Sequence, residues 1–131
     1  MFQIDSLSRI PVYEQLTRQL ERFLLSGAVQ PGEQLPSVRS VATEHSINPR
    51  TILRAYSDLD ARGLITAVPG KGYFVCPDAL QVLNAAETAK LGDLRDMLQN
   101  MVLAGVDKKQ ILACVEETYA SQNPAQADRK E

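Results

Sequence analysis

The sequence predicts a mostly α-helical chain with one small β-hairpin, and three observations lead there. Between Leu35 and Leu59, two stretches with apolar residues at helical spacing are separated by the pattern-breaking His45-Ser46-Ile47-Asn48. Gly63 then stops the second stretch, and two short β-prone runs, Leu64–Ala67 and Tyr73–Val75, flank the turn Pro69-Gly70-Lys71-Gly72. After Pro77 the leucines return to helical spacing with no further strand signal. Helix, turn, helix, hairpin is the winged helix-turn-helix arrangement, followed here by a two-helix C-terminal segment.

Each element follows from its residues. Phe2-Gln3-Ile4-Asp5 alternates apolar and polar, as a short strand or arm would. Pro11 opens a first long helix with Val12, Leu16, Leu20, Phe23 and Leu24 on one stripe and Gly27 closing it, a scaffold beneath the reading pair. Gln30-Pro31-Gly32-Glu33 is a turn. Ser37, after Pro36, is a natural N-cap for a helix whose inner face is Val38, Val41 and Ala42. Asn48 caps the next helix, and Pro49 takes its first position, where a missing N–H costs nothing. On that helix Ile52, Ala55, Tyr56 and Leu59 share one side, and Arg50, Arg54 and Ser57 the other.

Beyond the hairpin, Asp78 with Gln81 offers a capping box to a long pattern through Leu80, Leu83, Leu91, Leu94, Leu98, Met101 and Val102, with a bend or break expected at Gly92. Gly105 stops it. Asp107 and Gln110 then start a helix with Ile111, Leu112, Val115 and Tyr119 inward. The expected organisation is therefore a DNA-reading domain over residues 1–76, a two-helix dimerisation segment over 77–121, and a polar tail over 122–131 that reads as disordered.

At 131 residues there is room for one compact domain and a modest extension. No run of about 18 apolar residues exists and the N-terminus lacks a signal peptide's pattern, so no membrane partner is expected. Cys76 and Cys114 are not at metal-ligand spacing and suit a reducing cytoplasm, the expected location. The net charge of −2 argues at first against nucleic acid. It divides unevenly, however. Residues 1–76 carry eight Lys/Arg against seven Asp/Glu, and residues 77–131 six against nine. Between Gln34 and Ser57 there are three arginines and one acid, Glu44, so positive charge gathers where groove contacts would be made.

The runs Leu35-Pro-Ser-Val-Arg-Ser-Val-Ala42, Asn48-Pro-Arg-Thr-Ile-Leu-Arg-Ala-Tyr56, Leu59-Asp-Ala-Arg-Gly-Leu-Ile65 and Gly70-Lys-Gly-Tyr-Phe-Val75 resemble the GntR family of bacterial transcription regulators, and the short C-terminal part resembles its smallest, YtrA-like branch. The resemblance is densest from Pro31 to Val75 and implies a dimeric repressor binding operator DNA. It also implies that the arginine matching Arg39 binds DNA.

The residues themselves leave alternatives. Arg39 lies in the first turn of its helix, where the dipole disfavours a cation; a phosphate or base contact accounts for it, and a solvated arginine is the other reading. Asn48, Pro49, Arg50, Thr51 and Arg54 stand near the start of the second reading helix, suited to the major groove or simply an exposed face. Leu53 either meets a thymine methyl or packs. Gly70, Lys71 and Gly72 lack the remainder of a phosphate-binding loop and read as a wing tip near the minor groove, or as a plain turn. With Ser37 these form the candidate DNA-binding set. Leu94, Leu98, Met101, Val102, Ile111 and Val115 form the candidate dimer interface. His45, the single histidine, reads as a surface or half-packed residue of the inter-helix turn.

No paired carboxylates, nucleophile–base set or metal cluster supports an enzyme, and no cofactor is expected. A non-specific DNA-coating protein would be far more basic. The segment after the hairpin is too short for a typical pocket-bearing domain, so a small-molecule effector would have to bind at the dimer interface or between domains.

Overall fold

The computed structural model describes residues 1–122 of the chain; the expected tail lies outside the described residues apart from Gln122, which ends the last helix. The order is α1 (Val12–Ser26), α2 (Val38–His45), α3 (Pro49–Ala61), β1 (Ile65–Val68), β2 (Gly72–Val75), α4 (Ala79–Thr88), α5 (Leu91–Leu103) and α6 (Lys108–Gln122).

The first compact unit spans Met1–Thr88. Its core is built from the stripes the sequence shows. Leu16, Leu20 and Leu24 of α1, Val41 and Ala42 of α2, and Ile52, Ala55, Tyr56 and Leu59 of α3 are buried together with Leu64, Ile65 and Val75 of the hairpin region. The preceding arm docks on α1 through two glutamines one helical turn apart. Gln19 Oε1 accepts from the Gln3 N–H and Gln15 Oε1 from the Asp5 N–H, both at 2.9 Å. Those side-chain amides stand in for a neighbouring strand, and Phe2 is buried beside Phe23.

β1 and β2 pair antiparallel, Ile65 opposite Val75 and Val68 opposite Gly72. The far edge of β2 is also used. Leu35 N–H donates to Tyr73 O and Val75 N–H to Glu33 O, each at 2.9 Å, around an isolated Gln34–Phe74 bridge. The chain entering α2 is thereby tied to the wing.

Two boundaries differ from the sequence expectation. α4 belongs to the first unit, because Ala79 and Leu83 are buried in its core; a division after Cys76 would cut through that packing. The break between α4 and α5 falls at Ala89–Lys90, and Gly92 lies inside the first turn of α5. A glycine costs a helix only about 1 kcal/mol, and the first-turn N–H groups have no intrahelical partners to lose.

The second unit, from Ala89 onward, holds α5 and α6, joined by a tight turn at Gly105 (φ 87°). No residue of either helix is buried. Their large apolar side chains are mostly exposed, Leu94, Met97, Val102, Leu112, Val115 and Tyr119 among them. Among the described residues, no helix is long and apolar enough to cross a membrane.

Candidate nucleic-acid interface

The two reading helices are set by local chemistry. Ser37 Oγ accepts from the Ser40 N–H at 3.0 Å, capping α2, and Asn48 Oδ1 accepts from the Arg50 N–H at 2.9 Å, capping α3 behind Pro49. α2 ends at His45, one residue beyond its expected stop, and the turn proper is Ser46, held in the left-handed region at φ 54°. Its closure satisfies the last carbonyls: Ile47 N–H donates to Ala42 O at 2.9 Å. α3 closes the same way at Gly63 (φ 80°), with Leu64 N–H donating to Leu59 O at 3.0 Å.

Tyr56 locks this pair to its surroundings. Its hydroxyl donates to Pro36 O at 2.6 Å, and its ring meets Tyr73 of β2 edge-on with centroids 5.0 Å apart. Burial, and secondarily Tyr73, pushes the Tyr56 phenol well above its ordinary value, so it remains a donor.

With that face buried, the opposite one is exposed. Ser37, Arg39, Asn48, Pro49, Arg50 and Arg54 are exposed and Thr51 half-buried. Among the described residues, carboxylates pair with Arg18 and Arg62 but with none of Arg39, Arg50 and Arg54. Arg62, at the end of α3, is held at 2.7 Å by Glu21 of α1 and serves the scaffold. Leu53 is 46% exposed on the same helix.

At the hairpin, Lys71 N–H donates to Val68 O at 2.9 Å across Pro69-Gly70, with Gly70 at φ 76°: a type II turn with proline and glycine where each is required. Lys71 projects exposed from it. Gln34 Nε2 donates to Lys71 O at 2.7 Å, and a Cβ on Gly72 (φ 124°) would come within 3.0 Å of that nitrogen. Gln34 is a supporting residue the sequence reading missed, since only the fold brings it beside the turn.

Tyr13 is a second such residue. The Arg54 guanidinium carbon lies 3.8 Å from the centroid of its ring. Nothing in the spacing of the two positions announces the contact; it arises because α1 and α3 pack together.

The remaining chemistry-bearing groups form no site. Cys76 is half-buried and its thiol pushed upward, by burial first and then by the carboxylates of Asp78 and Asp60; Cys114 is exposed. Among the described residues, no three His, Cys, Asp or Glu side chains gather as a metal site. His45 is half-buried, with Nε2 lacking a hydrogen-bond partner.

A family model described as "Bacterial regulatory proteins, gntR family" matches residues 12–75, which span α1 through the hairpin. The HTH-type transcriptional repressor YtrA of Bacillus subtilis (strain 168) is 32% identical over 124 residues, covering 92% of this chain and 93% of that protein. The chain belongs to the GntR family of DNA-binding transcription regulators. Among solved structures, a transcriptional regulator from Oenococcus oeni is 30% identical with a TM-score of 0.68, covering 90% of this chain and 98% of that one. A GntR family regulator from Listeria monocytogenes is 27% identical with a TM-score of 0.65, covering 87% and 98%. These relatives are transcription regulators and not enzymes, and the likeness to the YtrA repressor extends past the hairpin into the C-terminal helices.

Proposed function

We propose that this chain is a cytoplasmic repressor that binds a pseudo-palindromic operator as a homodimer, with α3 in the major groove and the Gly70-Lys71-Gly72 wing tip near the minor groove. The observation that carries the reading is the exposed, carboxylate-free set of Arg50 and Arg54 on α3, away from its buried stripe, and Arg39 in the first turn of α2. Arginine forks left unpaired beside a capped helix start suit guanine edges and phosphates. Repression is carried over from the relative's name.

Dimerisation is supported by the second unit. Leu94, Met101, Val102 and Val115 are 46%, 38%, 65% and 45% exposed, and Leu98 and Ile111 are only half-buried. Such a stripe has no enclosed core of its own, and a two-fold partner offers the same patch in return. The reading is tested by titrating the full chain, at one salt concentration, against a duplex it has selected from a randomised library and against random duplex. Dimers that prefer the selected duplex support it; equal affinity for both overturns sequence-specific reading.

A further inference from the structure

We propose that Tyr13 is the positioning residue for Arg54, holding its guanidinium flat so that its donor edge is presented to a base. The inference rests on the groove reading of α3 and deepens it. Arg54 is exposed, and among the described residues no carboxylate pairs with it. Its partner is the half-buried ring of Tyr13, in the first turn of α1, with 3.8 Å between the guanidinium carbon and the ring centroid.

The type of contact matters. A carboxylate would occupy the N–H donors, as Glu21 occupies those of Arg62. A ring face instead takes up the flat side of the guanidinium by cation–π attraction and stacking, and leaves the N–H groups in its plane unused. Those in-plane donors are the ones a bidentate guanine contact needs. Tyr13 itself is anchored: it packs against the core that α1 shares with α3. Its ring therefore restricts a long, rotamer-rich side chain before DNA arrives, lowering the ordering cost of binding.

The test is a double-mutant cycle on the full-length chain with Tyr13→Phe, Tyr13→Leu, Arg54→Ala and the Tyr13→Leu/Arg54→Ala pair. Each is titrated against the duplex selected by the wild-type protein and against random duplex, with thermal melting as the folding control. Tyr13→Phe keeps the ring and is expected to bind like wild type. Tyr13→Leu keeps apolar packing and is expected to lose about two- to five-fold on the selected duplex, the equivalent of an exposed cation–π contact. It should lose nothing further once Arg54 is alanine. A Tyr13→Leu loss that persists in the Arg54→Ala background, or is equal on both duplexes, overturns the orienting role while leaving groove reading intact. So does a Tyr13→Phe loss as large as that of leucine, which would assign the hydroxyl a contact of its own. Arg54→Ala binding both duplexes like wild type overturns the groove reading of Arg54 and this proposal together.

Discussion

Arg39 and Arg54 face solvent from different helices, and their settings imply different contacts. Arg39 stands in the first turn of α2, against the helix dipole and beside the Ser37 cap, a position suited to holding phosphate. Arg54 is stacked on Tyr13 with its donors open. Arg39→Ala is therefore expected to weaken binding to all duplexes, whereas Arg54→Ala should relax preference at one base pair by about 1–3 kcal/mol. Competition titrations on single-base variants of the selected duplex separate the two; unchanged affinity in both variants would remove the groove assignment. Tyr56 gives a prediction of the scaffold. Its folded-state phenol is raised above the ordinary value of 10.0, so the stability it contributes is fully present below that pH and is lost as pH rises past it. Tyr56→Phe should cost about 1 kcal/mol at neutral pH, because Pro36 O loses its donor, and should flatten the decline in alkaline solution. Denaturant titrations of both proteins on either side of that pH check the sign. A wild type whose stability does not fall on the alkaline side would contradict it.

At the scale of elements, the wing combines a required backbone conformation with a charge at its tip. Gly70 needs φ near 76°, so Gly70→Val should disrupt the turn and damage binding more than Lys71→Ala does. Lys71→Ala should lower affinity similarly for all sequences and reduce the salt slope by about one unit. Full binding by both variants would show that the wing does not approach DNA. The turn residues, the Ser37 and Asn48 caps and the buried face of α3 were legible in the sequence because each is decided within a few residues of chain. What was not legible depends on contacts across the fold. Gln34 reaches Lys71 only because the segment before α2 pairs with β2, and Tyr13 reaches Arg54 only because α1 packs on α3. The attachment of α4 was hidden for the same reason. Leu83 fits the same helical spacing as the leucines after it, and burial alone separates it from them.

For the whole molecule, the proposed dimer would let the second unit raise affinity without a DNA contact of its own. Joining two reading domains turns the second half-site into an intramolecular event, which raises apparent affinity without any new contact to a base. The half-sites should then lie about 10 base pairs apart centre to centre, or at a near multiple of that. A chain ending after Thr88 keeps Ala79 and Leu83 in the core and should fold as a monomer with much weaker binding to the selected duplex. A chain ending after Pro77 is the wrong comparison, since it strips both residues from that core and confounds lost folding with lost pairing. In the full-length protein, Leu98→Glu should act like the Thr88 truncation, because pairing two copies would bury a carboxylate with no partner at the centre of the α5 stripe. Leu98 is half-buried in the single chain and neither α5 nor α6 has a buried residue, so this change should spare the fold of the first unit. Sedimentation at micromolar concentration alongside DNA titration decides the matter. A wild-type monomer that binds the selected duplex tightly would sink the dimer model, as would a Leu98→Glu protein that remains dimeric with unchanged affinity.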